Sequence, residues 1–539
     1  VIWGGTGVNK THTFLKGAAI LTAAGLASKL LGAVYRIPLF RVVGSEGMGL
    51  YQMAYPLYTM LLALSSAGIP VAISKLVAEN LARRDAVGVS LVFRTGMVLI
   101  AIVSGVLSLL LFQSAYFLAD RMLHDIRAAY SIMAIAPAVF FVGLMSVFRG
   151  YFQGFQEMVP TACSQVLEQL VRVVTVLAGA YFFLNRGVEF AAAGATFGAV
   201  TGAVAGFGLL AGFYVLRPYY SAAPFSPSGL RQAGYAGVFR IMRRIITLAL
   251  PISLGGLVLP VMQTLDAITV PGRLQLAGYS LTGAVQLYGQ LTGAAVTLIN
   301  LPTAITVSLA ASLVPAISRL VERNNYYEVK RQIETATGIT ILVCLPAAVG
   351  LAVLAVPISD LLFNCPEAGR PLVFLAPAAV LLGLHQITSG ILQGMGKTFL
   401  PVINLVIGAT AKFIVNYTFT AVPQIGITGA AAGTVAGFLL SSYMNFLFIR
   451  NLTGWQPRMR IMLLKPGLAA TIMAVGVYFT YRQSTIIMSS SWATIVSILA
   501  GALLYLTVLL ILGTIRDLGI AEKDKPAGFK GCCSKWRKK

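Results

Sequence analysis

Charge is what this sequence has least of. Only 11% of its 539 residues are Asp, Glu, Lys or Arg, where a soluble protein carries about 25%. Acidic residues are scarcest, 17 Asp and Glu against 40 Lys and Arg, for a net charge of +23. Histidine is nearly absent (His12, His124, His385), and the cysteines Cys163, Cys344, Cys365, Cys532 and Cys533 form no C-x-x-C. That scatter supports neither a metal site nor a disulfide framework, and no cofactor is expected. No nucleotide-binding motif occurs, which argues against direct coupling to ATP. Long polar loops are missing too, so there is no room for the outer catalytic domain of a membrane glycosyltransferase. The expectation is a transporter rather than an enzyme.

Apolar sequence is what the chain has in excess: 57% hydrophobic, with a mean hydropathy of +0.83. This is the composition of an all-α polytopic membrane protein. Apolar segments fall near 17–43, 49–74, 90–118, 130–153, 160–184, 190–215 and 243–270, then 283–315, 334–356, 372–395, 399–420, 427–449, 462–481 and 492–513. They imply about fourteen transmembrane helices, several kinked at proline. The basic residues cluster in alternate loops, at Arg83–Arg84, Arg240–Arg244, Arg319–Arg331 and Arg450–Lys465. That pattern follows the positive-inside rule, places both termini in the cytoplasm, and explains the net charge without nucleic acid. Residue 1 is Val, with Val8 a second plausible start; the first segment follows Lys10 and Lys16, lacks a cleavage site, and reads as a retained helix.

The chain is organised around 136–173, APAVFFVGLMSVFRGYFQGFQEMVPTACSQVLEQLVRV. Ionisable groups at membrane depth are costly and usually face a bundle interior or a watery cavity. Gln165, Glu168, Gln169 and Arg172 fall at i, i+3, i+4, i+7 on one helical face, a candidate cavity wall. A self-neutralising Glu168–Arg172 pair is the plainer reading. The first part repeats at 376–394, APAAVLLGLHQITSGILQG, with eight of nineteen residues identical, Gln153 matching Gln393 among them. ISKLVAE at 73 likewise resembles ISRLVER at 317, and AAAGATFG at 191 resembles AAAGTVAG at 430. A duplication of this kind implies two pseudo-symmetric six-helix lobes plus two C-terminal helices. The expected organisation is an extension (1–13), an N-lobe (14–216), a Pro/Gly/Ser-bearing cytoplasmic linker (217–242), a C-lobe (243–450), two further helices (451–513) and a basic tail (514–539).

Other polar residues lie within apolar segments. Arg36 and Arg41 flank Pro38; Gln263, Asp266 and Arg273 share a face, with an Asp266–Arg273 pair one reading; Asn404, Lys412 and Asn416 form a stripe. Arg41 and Arg273 have snorkelling to the headgroups as an alternative role. The candidate buried cations are Arg36, Arg41, Arg149, Arg172, Arg273 and Lys412, and the candidate anions Glu168 and Asp266. Gln153, Gln165, Glu168, Asp266 and Gln393 are the polar or coupling candidates. A surplus of guanidinium suits a phosphate-bearing substrate, because its fork binds phosphate oxygens bidentately.

FLKGAAILTAAGLASKLLG, GLYQMAYPLYTMLLALSSAGIPVAISKLVAE, RGYFQGFQEMVPTACSQVLEQLVRV and YGQLTGAAVTLINLPTAITVSLAASLVPAISRL carry a resemblance. Together they resemble the polysaccharide and lipid-linked-oligosaccharide branch of the multidrug/oligosaccharidyl-lipid/polysaccharide exporter superfamily, which includes stage V sporulation protein B and the related lipid II flippases. The resemblance implies fourteen helices around a central cavity and movement of undecaprenyl-pyrophosphate-linked sugars across the cytoplasmic membrane. It implies first-helix arginines on the diphosphate, in the region of Arg36 and Arg41. The implied partners are the lipid-linked glycan, membrane lipids and cell-wall synthesis proteins, with the transporter itself monomeric. The alternative is a cation-coupled multidrug antiporter of the same superfamily.

Overall fold

The structure, a computed structural model, describes residues 20–216 (without 22, 26 and 29) and 227–514. The N-terminal extension with His12, Lys10 and Lys16, the first part of the linker, and the tail with Cys532–Cys533 lie outside the described residues. The described chain is helical and contains no strand. Its helices are α1 (20–34), α2 (Arg36–Ser65), α3 (Ile69–Ala82), α4 (Ala86–Gln113), α5 (Ala128–Gly154), α6 (Val159–Phe183), α7 (Val188–Leu216), α8 (Pro227–Leu276) and α9 (Leu281–Gly289). Then come α10 (Val296–Glu322), α11 (Tyr326–Val353), α12 (Ala355–Phe363), α13 (Gly369–Leu375), α14 (Pro377–Gly394), α15 (Phe399–Phe419), α16 (Ile427–Thr453), α17 (Lys465–Ile487) and α18 (Ser490–Ile511).

Among the described residues, twelve helical stretches are long and apolar enough to cross a bilayer, and the α13–α14 pair, bent by 48° at Pro377, forms another. One of the twelve, Ala23–Ala82, runs for 60 residues, about 90 Å of helix against a hydrocarbon core of about 30 Å. It turns back at Gly44, whose φ of 69° and ψ of −176° lie outside helical space, and so makes two crossings. Gly44 sits where the apolar pattern separates the first two segments, and its lack of a Cβ makes that conformation accessible.

The duplication is written into the backbone. Left-handed residues recur 240 positions apart at Arg84 and Asn324, His124 and Asn364, and Gln156 and Gly396. The helix starts repeat as well: Asp85 accepts the amide of Gly88 at 2.8 Å, and Asn325 that of Glu328 at 3.2 Å, each satisfying an otherwise orphaned donor. Packing explains why the glycines of the repeated stretch recur. A Cβ on Gly150 or Gly154 would meet Pro70 O at 2.8 Å and Val77 Cβ at 2.7 Å; on Gly390 or Gly394 it would meet Ala310 O at 2.9 Å and Ile317 Cβ at 2.8 Å. Small residues let helix backbones approach closely where lipid supplies no hydrophobic drive. The fold is thus two six-helix lobes followed by α17 and α18, which pack on each other and on α11.

The lobes meet tightly at the end of the bundle where Gly44 turns. A methyl on Gly49 would overlap the carbonyl of Val285, and one on Gly289 the carbonyl of Ser45. Gln52 Nε2 donates to Thr292 O at 2.9 Å across the same seam. Glu46 is tied into the N-lobe by Arg127, which also donates to Asp125. Those bonds, to Asp125 first and then Glu46, hold the Arg127 guanidinium above its ordinary value.

Candidate functional site

Immediately below that seam lies a cavity of about 400 Å³ between the lobes. Its N-lobe wall is built by Ser28, Gly32 and Ala33 of α1, Arg36 at the start of α2, and Gln169 of α6. Its C-lobe wall comes from Thr297, Asn300 and Thr303 of α10 and from Gln386 of α14. The polar stripe of α6 therefore does face a cavity, through Gln169. A Cβ on Gly32 would lie 3.5 Å from Gln169 Nε2, at ordinary van der Waals distance, so α1 packs directly against the amide.

Arg36 caps the cavity beside an aromatic ladder. Its guanidinium carbon lies 5.9 Å from the centroid of Tyr55. Tyr55 stacks on Tyr51 at 5.7 Å, and Tyr51 shares a 2.9 Å hydrogen bond with Tyr35. Such a ring face stabilises a cation without neutralising it. Arg36 Nε and Gln169 Nε2 are buried with no hydrogen-bond partner among the described residues. Two unpaired donors of this kind are costly in an empty protein and useful toward an anion.

Glu168 sits beside this wall and is shared by two arginines. Arg149 donates to Oε2 at 2.9 Å from α5, and Arg172 to Oε1 at 2.7 Å within α6. Arg149 also reaches Ser164 Oγ at 3.2 Å. All three side chains are between 12% and 16% exposed. The intrahelical pair expected from i, i+4 spacing is present, but Arg149 prevents it from being neutral. Arg149 and Arg172 on one carboxylate leave one net positive charge, and Arg36 on the cavity wall adds a second.

The remaining sequence-selected residues go elsewhere. Arg41 donates to the backbone carbonyls of Leu361 and Leu362 at the end of α12, a helix C-terminus that carries partial negative charge. It ties the Gly44 turn to the C-lobe and does not line the cavity. Arg273 donates to Tyr417 O at 2.8 Å and lies 3.9 Å from the centre of that ring. The Asp266–Arg273 pair is not formed: Asp266 instead binds Lys412, with Asn416 Nδ2 on its other oxygen at 2.8 Å. Side chains seven positions apart point the same way, but the α8–α15 contact brings Lys412 much closer. Gln165 is half-buried on α6, with its Oε1 atom buried and unpartnered. Gln153 is half-buried and Gln393 exposed, at the matching ends of α5 and α14.

The repeat also fixes where the lobes differ. Ser389 occupies the place of Arg149, and there the C-lobe carries a neutral network. Asn445 donates to Thr388 at 3.0 Å and Ser389 at 3.3 Å, Asn404 donates to Asn445 at 2.8 Å, and Ser441 bonds His385 Nδ1 at 2.9 Å. Asn300, Thr297 and Gln386 were not singled out by sequence, since isolated amides and hydroxyls in an apolar helix give no periodic signal. The one available clue was the position of Gln386 within the repeated stretch 376–394.

Comparison with known proteins agrees with this architecture. The sequence profile of the family described as polysaccharide biosynthesis protein matches residues 14–321, and that of MatE residues 251–418. Stage V sporulation protein B of Bacillus subtilis (strain 168) is 31% identical over 509 residues, 94% of this chain and 96% of that one. Lipid II flippase MurJ of the same strain is 27% identical over 547 residues, 95% and 99% of the two chains. A solved structure of lipid II flippase MurJ in an inward closed conformation has the same fold, with a TM-score of 0.68 at 16% identity over 93% of this chain and 99% of that one. With a profile matching more than half the chain and a relative above 30% identity along nearly all of it, the protein belongs to the polysaccharide biosynthesis protein family.

Proposed function

We propose that this protein is a flippase that moves undecaprenyl-pyrophosphate-linked sugar precursors across the bacterial cytoplasmic membrane by alternating access, in the service of cell-wall, spore-cortex or polysaccharide biogenesis. The observation that carries this reading is the charge of the cavity region: Arg36, Arg149 and Arg172 against Glu168, with donors left unpaired. Two net positive charges complement a diphosphate, and guanidinium is the side chain best shaped for it. A drug-cation exporter would call for the opposite surplus. The basic loops, Arg83–Arg84 and Arg319–Arg323 among them, support a cytoplasmic side for that end of the bundle and for both termini. The cavity then opens from the cytoplasmic half, below a seam closed on the outer side. Arg36 and the Glu168 cluster bind the diphosphate, the polyprenyl chain stays in lipid, and rocking of the lobes reopens the cavity outward. The N-lobe (14–216), linker (217–242) and C-lobe (243–450) act as the rocking units and their connection, and the monomer is the working form.

Native mass spectrometry of the purified protein with lipid II tests the reading. Arg36→Ala removes a charge-assisted contact worth about 1.5–3 kcal/mol and is expected to weaken binding roughly 10- to 100-fold. Retention of organic cations with no polyprenyl diphosphate bound would replace the flippase with a multidrug antiporter. Flipping should also respond to an inside-negative potential, since two negative charges crossing 100 mV gain about 4.6 kcal/mol. Rates in proteoliposomes that ignore both potential and ion gradients would remove that energy source.

A further inference from the structure

We infer that the two walls of the cavity read different parts of one headgroup, the N-lobe wall the diphosphate and the C-lobe wall the uncharged sugar attached to it. This inference rests on the flippase reading and adds the residues that select for the glycan. The N-lobe wall carries the unpaired donors Arg36 Nε and Gln169 Nε2 together with the unpaired Ser28 hydroxyl, and its one charged group is a guanidinium, which suits an anion. The C-lobe wall carries no ionisable group among the described residues that line it; its polar members are Thr297, Asn300, Thr303 and Gln386.

Amides and hydroxyls both donate and accept, as sugar hydroxyls and acetamido groups do. The two threonine hydroxyls already donate to backbone, Thr297 to Gly293 O at 2.6 Å and Thr303 to Asn300 O at 3.0 Å, so toward the cavity they present acceptor lone pairs. Gln386 is held in position by the Thr306 hydroxyl, which lowers the entropic cost of using its amide. The Asn300 side chain has no hydrogen-bond partner among the described residues. Leu301, Ala304 and Val307 lie between these polar groups and offer aliphatic surface to the C–H faces of a sugar ring.

The test compares two probes on the intact protein in detergent, undecaprenyl diphosphate and undecaprenyl diphosphate bearing an N-acetylated disaccharide without peptide. The parent is expected to prefer the glycosylated lipid, and the preference should fall about tenfold in the Asn300→Ala, Gln386→Ala double variant, since each lost hydrogen bond leaves a sugar group unpaired. Arg36→Ala should instead weaken both lipids together. A parent that does not distinguish the probes, or a folded double variant with the parental preference, would overturn the assignment of the C-lobe wall. Failure of both lipids to bind the parent would overturn the flippase reading itself. Melting temperatures of the variants, and a second pair (Asn300→Ser, Gln386→Asn) that keeps polarity but shortens reach, separate lost recognition from lost folding.

Discussion

Alanine at position 289 should cripple flipping while leaving the protein folded. Gly289 on α9 faces the carbonyl of Ser45 at the Gly44 turn with no space for a methyl, and Gly49 faces Val285 O in the same way. Here the obstructing atoms are backbone, so no side-chain rotation can relieve the clash. Overpacking of this kind costs about 1–3 kcal/mol. Because the clash exists only when the seam is shut, that energy acts on one state of the cycle, shifting its population roughly 5- to 150-fold. The expected rate loss in proteoliposomes is of that order. Labelling a cysteine placed at Thr292 with an impermeant maleimide from the outer side, in a background without native cysteines, should rise from protected to reactive. Gly208→Ala is the control, as nothing lies within 4 Å of its Cβ position. Parental flipping together with continued protection of position 292 in Gly289→Ala would show that this seam does not need to close. Arg41→Ala should give a weaker effect in the same direction, since it loses only the bonds to Leu361 and Leu362.

That seam was not legible in the sequence, and the reason is physical. A glycine in an apolar helix announces nothing about which backbone it approaches. Periodicity and hydropathy report what a segment does to its own environment, so they yielded the helices, the Gly44 division and the duplication. The duplication went further than expected: offsets seen in side chains reappear as left-handed backbone at Arg84 and Asn324 and at His124 and Asn364. Local geometry likewise gave the Glu168–Arg172 contact and the cavity-facing Gln169. What it could not give was the third partner, because Arg149 reaches Glu168 from another helix. The same limit hid the Lys412 partner of Asp266, which the reading of an Asp266–Arg273 pair did not include, and left the neutral C-lobe wall unnoticed. Arg41 has the composition of a phosphate ligand, yet a helix C-terminus claims it.

Removing one member of the Asp266–Lys412 pair should be far more damaging than removing both. The pair joins α8 to α15, with side chains 17% and 7% exposed, and Asn416 completes the shell of the carboxylate. Asp266→Asn leaves an ammonium without a counter-charge among apolar helices, and Lys412→Met leaves the carboxylate. Breaking a buried pair from one side costs about 3–5 kcal/mol, whereas replacing both ions with apolar groups of similar volume is often neutral or stabilising. The melting temperature in detergent is therefore expected to fall sharply in each single variant and to recover in Asp266→Leu, Lys412→Met. The functional outcome separates two roles. Both oxygens of Asp266 are occupied and neither residue lines the cavity, so we expect flipping to recover with stability, as for a purely architectural pair. A double variant that is stable but does not flip would mean that the pair exchanges partners during the cycle, and Asp266 would then be a coupling residue. The coupling energy from the full cycle of single and double variants decides the matter more cleanly than any single substitution, because the unpaired charge left in each single variant inflates its effect.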